Sequence, residues 1–522
     1  MAVEYIRDVL KVDQVIGQEM SQVLVEGDVI VPESKPDIGK ILDVGGTVVL
    51  NSKEVIQDRL MVEGEVRYNI LYTGQEDDQL IDNLEAETVF THYIEIPGAK
   101  PNMMSMLKWE VEHVEYEIVN SRKLNIKAVL HLDGRISSVV QLEVVQGFKD
   151  MPEVQVLKDG IEGISSREQG SSQAIVREDL ELEDGLPSIQ QILKKDAYVR
   201  LKEKQVADNR VTVRGDIHIK ILYSCADENE PIQHISYDMP FAHSIDIMGA
   251  YQGMNCNENV WVQELFVEPR EDINGELRIL SIEAVIWAEA QVFEVERREV
   301  LVDAYCPGMV MEPKKRKIRL TRMVGEQEDQ MLIKEVVAFP GTAPPGERVF
   351  HAEVKPIIAE QYVDDGKIII DGVLVSNIIY RTGGASPVLT SLKEDIPFRH
   401  SIDMQDATED MECMSRLMVE HVNCTLIAPD EVELRAVINA QVRVFSITEK
   451  EVILGVDVKE MEGSKDSGIY IYFVQPGDSL WSVAKKYNTT IDNILKFNHI
   501  EEPRILHTGD KLLIYKKLEV KL

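Results

Sequence analysis

The sequence predicts a mainly β protein, with three tandem β-rich domains of one fold, each a sandwich or an open barrel, followed by a small βααβ domain. Three observations support this prediction. Similar segments recur three times along the 522 residues, these segments alternate between apolar and polar residues, and the last fifty residues differ from the rest in charge. With 44% hydrophobic residues, a chain of this length can bury several cores, so three or four domains are expected.

The repeat is visible in two motifs that keep the same spacing. The first motif contains the glycines Gly64, Gly215 and Gly372, at intervals of 151 and 157 residues. The second contains His92, His243 and His400, at the same intervals. This period far exceeds the roughly 20–45 residues of solenoid repeats, so each copy should form its own core. The predicted domains are residues 20–150, 172–312 and 325–460, after a lead-in of residues 1–19.

Within each copy the pattern is that of β-strands. Apolar residues occupy every second position in the segment 211–221, which places one strand face in a core and the other in water. Asp, Asn and Gly residues between such segments predict turns between antiparallel strands. The recurrent glycines lie on the inward side, which indicates a β-bulge or close backbone packing. One helical turn is expected at Ser188–Leu193, because Pro187 suits a helix start.

Composition and charge argue against several classes of function. The excess of 91 acidic over 56 basic residues should repel nucleic acids and anionic membranes. Residues 1–8 lack the basic flank of a signal peptide, and no stretch approaches the length of a membrane-spanning helix, so a cytoplasmic protein is expected. The five cysteines form no Cys-x-x-Cys pair, which predicts free thiols. The basic run 314–322 is interpreted as a solvated linker, with an anion-binding patch as the alternative.

The sequence contains no recognisable catalytic motif. The phosphate-binding, dinucleotide-binding, zinc-protease and nucleophile-elbow patterns are all missing. His243, Ser244 and Asp246 resemble a triad only in composition, because adjacent strand residues point to opposite faces. The three recurrent histidines are therefore interpreted as structural. We predict no catalytic residue, no metal site and no cofactor.

The C-terminal segment 470–516 is predicted to be an independent domain after a linker at 461–469. Residues 470–522 contain eight basic and six acidic residues, in contrast to the acidic body. The segment contains P-G-D-S-L-W, A-x-x-Y and I-x-x-I-L-x-x-N motifs and closes with G-x-x-L-x-I. It resembles the LysM family over its whole length, which implies a βααβ fold. Asp478 or Ser479 can cap the first helix and Thr490 the second.

In sugar-binding LysM domains the ligand lies in a shallow groove between two loops. The resemblance places this groove on Gly477, Asp478, Ser479, Leu480 and Trp481, facing Pro503, Arg504, Ile505 and Leu506. We expect Leu480, Trp481, Arg504 and Ile505 to anchor a protein partner, since exposed aromatic and arginine side chains commonly do so. The alternative is that Leu480 and Ile505 are core residues and that Trp481 shields the first helix.

The complete layout, with the triplicated motifs and one LysM module, resembles SipL-type spore-coat assembly proteins, which carry SPOCS domains. That resemblance implies a non-enzymatic scaffold in the mother-cell cytoplasm at the forespore surface, bound to a coat-basement ATPase of the SpoIVA type and to other coat proteins. The alternative is a cell-wall-associated protein that binds peptidoglycan or other N-acetylglucosamine glycans. Whether the groove binds glycan or protein, the oligomeric state and the partner-facing surfaces stay open.

Overall fold

The computed structural model describes residues 4–75, 81–227, 230–341, 343–384, 387–460, 468–500 and 506–516. Unit 1 contains β1 (Tyr5–Ile30), β2 (Ile38–Ile56), β3 (Arg59–Gly74), β4 (Ile81–Glu95), β5 (Met104–Asn120) and β6 (Lys123–Phe148). Unit 2 contains β7 (Gln155–Glu181), β8 (Gln191–Ala207), β9 (Arg210–Ser224), β10 (Ile232–Asp246), β11 (Asn255–Glu271) and β12 (Leu277–Tyr305). Unit 3 contains β13 (Met309–Ala338), β14 (Gly346–Asp364), β15 (Lys367–Thr382), β16 (Leu389–Asp403), β17 (Glu412–Ala428) and β18 (Glu431–Glu460). The C-terminal domain contains β19 (Gly468–Phe473), α1 (Leu480–Lys486), α2 (Ile491–Asn498) and β20 (Lys511–Lys516).

Each unit is a sandwich of two three-stranded antiparallel sheets. In unit 1 the sheets have the orders β1-β6-β5 and β2-β3-β4, and units 2 and 3 repeat this arrangement. Inward residues of both sheets share one core, since Val25 of β1, Val62 of β3 and Leu130 of β6 belong to the same buried cluster. The predicted mainly β class is confirmed, and each repeat is a sandwich rather than an open barrel.

The recurrent glycine of each unit lies opposite a β-bulge. The glycines and the bulged residues paired with them are Gly64 with Leu50, Gly215 with Leu201 and Gly372 with Ile358. A carbonyl oxygen of the bulged strand lies only 2.6, 2.2 and 2.4 Å, respectively, from the position that a glycine Cβ would take. No side chain fits there without moving backbone, so the predicted structural equivalence of the three glycines is confirmed together with its cause.

A buried tyrosine ties the entry of each unit's second strand to its third. Tyr72, Tyr223 and Tyr380 donate hydrogen bonds of 3.1 Å to the carbonyl oxygens of Pro36, Pro187 and Pro344. Burial raises the pKa of Tyr72 and Tyr223 to about 12, so these phenols remain protonated donors at any physiological pH. The shared prolines of the repeat are therefore acceptors in a triplicated structural contact.

The long first strand of each unit extends beyond the predicted domain starts. β1, β7 and β13 begin at residues 5, 155 and 309, so the predicted starts at 20, 172 and 325 lie inside continuous strands. Residues 5–19 belong to β1, so they do not form the separate lead-in that was predicted for residues 1–19. The first halves of these strands contact other units rather than their own core, so regular alternation does not mark them.

The helical turn predicted at Ser188–Leu193 is wrong. The backbone amides of Ile189 and Gln190 donate to the carbonyl oxygens of Leu277 and Ser224, and β8 begins at Gln191. These long-range hydrogen bonds to two neighbouring strands replace the local bonds of a helix.

The three units contact one another in a closed ring. The three donors are at equivalent positions: Asn69 of unit 1 donates to the Leu193 carbonyl of unit 2 at 3.1 Å, Lys220 of unit 2 to the Val419 carbonyl of unit 3 at 3.2 Å, and Asn377 of unit 3 to the Leu42 carbonyl of unit 1 at 3.2 Å. Leu42 and Leu193 are also equivalent acceptors, whereas Val419 lies on β17. Each unit therefore contacts the next in the same direction. Head-to-tail contacts of this kind form a ring when the rotation closes.

Two apolar clusters, drawn from all three units, hold this ring together. One contains Leu42, Leu71, Ile81, Leu193, Leu222, Ile232, Ile379 and Leu389. The other contains Leu10, Val144, Ile161, Val300, Ile318 and Val452, from the long first and last strands. Full burial of such a side chain stabilises by roughly 1.5–3 kcal/mol, so the ring is held chiefly by apolar contacts.

A charged group also lies where the units meet. The Lys194 ammonium lies 3.2 Å from the Asp43 carboxylate of unit 1, 2.5 Å from that of Glu353 in unit 3 and 3.9 Å from that of Asp196 in its own unit. Only 10% of the Lys194 side chain is exposed. Burial by itself would lower the pKa of Lys194, but the surrounding carboxylates hold it well above its ordinary value. The ammonium therefore stays charged and pairs with groups from all three units.

The glycine constraint can be tested by replacing Gly215 with alanine. Because the new Cβ would lie 2.2 Å from a carbonyl oxygen, we expect the free energy of unfolding to fall by about 1–3 kcal/mol in chemical denaturation. Gly455→Ala is the matched control, since Gly455 is also a strand glycine and a Cβ placed there would have nothing within 4 Å. Equal stability of the two variants would contradict this account of the bulge.

Candidate functional site

The LysM-type module has the predicted βααβ order, and its helices begin at the predicted caps. Ser479 caps α1 in a reciprocal capping box with Ser482, and the Thr490 hydroxyl accepts the Asn493 amide at the start of α2. Leu480, Val483, Ala484 and Ile494 are buried in the module core with Leu512 and Ile514 of β20. The helices are short, so this core and the caps stabilise them more than helix propensity does.

The loop between β19 and α1 is held by one carboxylate. Asp478 accepts hydrogen bonds from the Tyr472 hydroxyl at 2.5 Å and from the Gln475 amide at 2.8 Å. The bond from Tyr472 is the main cause of the lowered pKa of Asp478, and the same bond raises the pKa of Tyr472 to about 12. Gly477 has a φ of +85°, in the left-handed region that favours glycine. The loop is therefore preorganised and exposed.

The structure separates the predicted groove residues into different roles. Gly477 and Ser479 are exposed, Asp478 braces the loop, and Leu480 is buried in the core at 9% exposure. Leu506 is half-buried against the same core. Pro503, Arg504 and Ile505 lie outside the described residues. The expectation that Leu480 is an exposed anchor is therefore wrong, and the core alternative holds for it because α1 turns this side chain inward.

Trp481 packs against the body of the chain and is only partly exposed to solvent. Its indole ring packs edge-on against Tyr305 with centroids 5.0 Å apart, and its Nε1 donates to an Asp303 carboxylate oxygen at 3.0 Å. Lys485 pairs with the same carboxylate at 2.6 Å, and the Tyr305 hydroxyl donates to the Thr489 carbonyl at 2.9 Å. Trp481 was predicted to anchor a separate partner protein. In the structure this side chain instead docks the module on unit 2 of the same chain.

The docking contact uses a carboxylate in its ionised form. Burial alone would raise the pKa of Asp303, but hydrogen bonds from Lys485 and Trp481 outweigh it and hold the pKa below its ordinary value. A carboxyl group with a lowered pKa contributes stability above its ordinary pKa, and that contribution is lost as the pH falls through the lowered value. Protonation of Asp303 therefore does not weaken docking near neutral pH.

Sequence reasoning missed Asp303 and Tyr305, although the repeat contained a signal for them. In the alignment that matches Ala128, Ala284 and Ala436, the position of Asp303 is Gly147 in unit 1 and Gly455 in unit 3. Unit 2 thus departs from both other copies at the end of its last strand. Only unit 2 has an acidic and an aromatic residue, Asp303 and Tyr305, at this place. Together with the basic LysM module later in the chain, this difference could have predicted the docking contact.

The recurrent histidines hold the two sheets of each unit together. The imidazoles of His92, His243 and His400 lie 2.8, 2.7 and 2.8 Å from Ser21, Ser172 and Asp329, respectively, on the first strand of the unit. Burial lowers the pKa of His92 and of His243. Only His400 pairs with a carboxylate, so the three equivalent positions share no catalytic pair, which supports the structural interpretation.

The basic run 314–322 is part of β13 and not a linker. Lys314 and Lys315 pair with Asp457 and Glu451 of β18 at 2.9 and 3.4 Å, and Arg319 pairs with Glu412 at 3.5 Å. The cross-strand acids compensate these basic charges, and the exposed pairs contribute little stability. Within the described segments, no three His, Cys, Asp or Glu residues are arranged to hold a metal ion, and no helix could span a membrane.

This arrangement defines a class of protein: a multidomain binding protein in which one recognition module is docked on three tandem β-sandwiches. The model of the SipL, SPOCS domain family matches residues 37–119, 188–269 and 347–427, and that of the LysM domain family matches residues 472–514. The three SipL matches cover 246 of the 522 residues. The chain has the SipL-like architecture of three SPOCS repeats followed by a C-terminal LysM domain. Comparison with curated proteins and with solved structures gave no match.

These families define the function at a coarse level. The chain is a sporulation protein associated with the spore coat, and it carries a module of the glycan-binding kind. Both families consist of non-catalytic binding domains. Each SPOCS match covers only the second to fifth strands of a unit, such as β2 to β5 in unit 1, so the long first and last strands that complete the sandwiches lie outside the matches.

The docking contact can be tested with Asp303→Ala. Loss of this carboxylate removes the acceptor of both Trp481 and Lys485, so backbone amides of α1 and of the following turn should exchange hydrogen at least tenfold faster. Hydrogen–deuterium exchange with mass spectrometry measures this change. Asp457→Ala is the control, because Asp457 also lies near the end of a last strand but pairs with an exposed lysine. Unchanged protection of α1 in Asp303→Ala would contradict docking.

Proposed function

We propose that the chain is a non-enzymatic scaffold of spore-coat assembly, which acts in the mother-cell cytoplasm and docks on the forespore surface through a coat-basement ATPase of the SpoIVA type. The observation that carries this proposal is that the SPOCS ring and the LysM domain form one continuous body. Docking through Trp481 and Asp303 holds the module at one fixed place on the ring. A rigid body with several outward faces suits an adaptor between an ATPase layer and further coat proteins.

The acidic SPOCS body and the basic LysM module differ in charge, which suits them to bind different partners. The chain carries a formal net charge of −35, whereas residues 470–522 contain more basic than acidic residues. The module is therefore attracted to an acidic partner surface that would repel the body. Association through the module should accordingly weaken as salt is added.

The proposal is tested by capture of a purified SpoIVA-type ATPase on immobilised protein. The full chain should retain the ATPase, and a truncation to residues 1–465 should lose most of it, with added salt reducing capture by the full chain. Asp303→Ala serves as a second comparison, because it keeps every module residue and changes only the docking. Equal capture by the full chain and the truncation would contradict the assignment of the LysM domain as the recognition module.

Glycan binding is the second candidate function, because the exposed loop at Gly477 and Ser479 is preorganised at one side of the family's groove. Such a loop offers backbone groups to N-acetyl substituents without first having to be ordered. Retention of the full chain on purified peptidoglycan, lost in the 1–465 truncation and unaccompanied by ATPase capture, would favour this function and a location at the cell wall.

A further inference from the structure

The outer face of the LysM sheet is apolar and exposed. It consists of Ile469, Ile471 and Phe473 of β19, Leu513 and Tyr515 of β20, and Phe497 of α2, whose ring packs at a tilt against that of Tyr515 with centroids 5.5 Å apart. The exposed fractions range from 39% for Leu513 to 72% for Ile469. No other described part of the chain covers these side chains. We call this surface the apolar sheet face.

The apolar sheet face takes part neither in the core of the module nor in the proposed groove. Alternate residues of the same strands, Tyr470, Tyr472, Leu512 and Ile514, already provide the inward side that packs on the helices. The module docks on unit 2 through Trp481 of α1, on another surface. A soluble fold gains nothing from exposing several large apolar residues together, so a contiguous patch of this kind marks an interaction site.

We propose that the apolar sheet face binds the same face of a second copy of this chain. With roughly 150–250 Å² of surface on a large side chain, the exposed fractions leave on the order of 500 Å² of apolar face per copy. A pair would bury about 1,000 Å², the lower limit for a specific interface. The face is one apolar side of a two-stranded sheet, so it can pack on an identical face as two sheets do in a sandwich.

The charges on the face favour an antiparallel pair. Lys511, directly opposite Phe473 in the sheet register, is the charged residue of the outer row of β20. A two-fold axis across the strands places each Lys511 beside the partner's Tyr515, where the ammonium meets an aromatic ring. The parallel arrangement would bring the two lysines together. Self-association therefore gains an aromatic contact and avoids a like-charge pair in one of the two possible orientations.

The acidic bodies give this association a distinctive salt dependence. Two chains with a formal charge of −35 each repel one another, and salt screens that repulsion. The dimer should therefore tighten as salt is added. Binding of the basic module to an acidic partner shows the opposite dependence, so the two events can be distinguished even though they involve the same domain.

The test is sedimentation of the full chain, at concentrations from about 1 to 100 µM, at low and high salt. We expect a reversible monomer–dimer equilibrium that strengthens with salt. Ile471→Glu, at the centre of the face, should raise the dissociation constant at least tenfold. Ile273→Glu is the control, since Ile273 is fully exposed on a turn of unit 2 and should leave the equilibrium unchanged.

A charge-pair experiment shows whether loss of association reflects the contact or the fold. An equimolar mixture of Ile471→Glu and Ile471→Lys chains should associate more tightly than either variant alone, because opposite charges then face each other across the two-fold axis. A wild-type chain that stays monomeric at all concentrations, or an Ile471→Glu chain that dimerises as wild type does, would overturn the proposal. Failure of the mixture to associate would overturn the face-to-face geometry.

Discussion

One buried ammonium group, that of Lys194, determines which faces of the three units can meet, although apolar contacts supply most of the stability of the ring. It pairs with carboxylates of units 1 and 3 as well as one of its own unit, at the place where all three meet. In the repeat alignment its position is Asp43 in unit 1 and His351 in unit 3, whose pKa burial lowers to about 4. Three identical charged residues would place like charges close together with little water, at a cost of several kcal/mol. The copies have diverged where identity would be most destabilising, and this divergence specifies which unit contacts which.

Divergence between the three copies also explains the position of the LysM domain. A ring of three similar units offers three similar docking places, but the module requires the carboxylate of Asp303 and the ring of Tyr305. The equivalents of Asp303 are glycines in the other units. A nearly symmetric body thus carries one module at one defined place, and the preorganised loop at Gly477 and the apolar sheet face remain accessible. Recognition by this protein is therefore asymmetric although most of its core is triplicated.

The sequence predicted features that arise from local patterning and from the repeat: the β class, the equivalence of Gly64 with its counterparts, and the capped helices of the LysM domain. It did not predict contacts between units, because Leu42 and Leu71 lie on the outward side of their strands, where alternation indicates solvent. Docking of Trp481 was missed for a related reason. An exposed aromatic residue and a docked one have the same sequence pattern when the partner surface lies 178 residues away in the chain. Long-range packing, rather than propensity, decides these positions.

The central claim, that the charge of Lys194 is required where the three units meet, is tested most directly by the free energy of unfolding of Lys194→Met in chemical denaturation. Methionine keeps the length of the side chain and removes the charge, which leaves the carboxylates of Asp43 and its neighbours uncompensated. We predict a loss of about 3 kcal/mol. Lys195→Met is the matched control, because this adjacent lysine forms a more exposed pair with Glu85 and should cost less than about 1 kcal/mol. Equal, small losses for both variants would contradict the account.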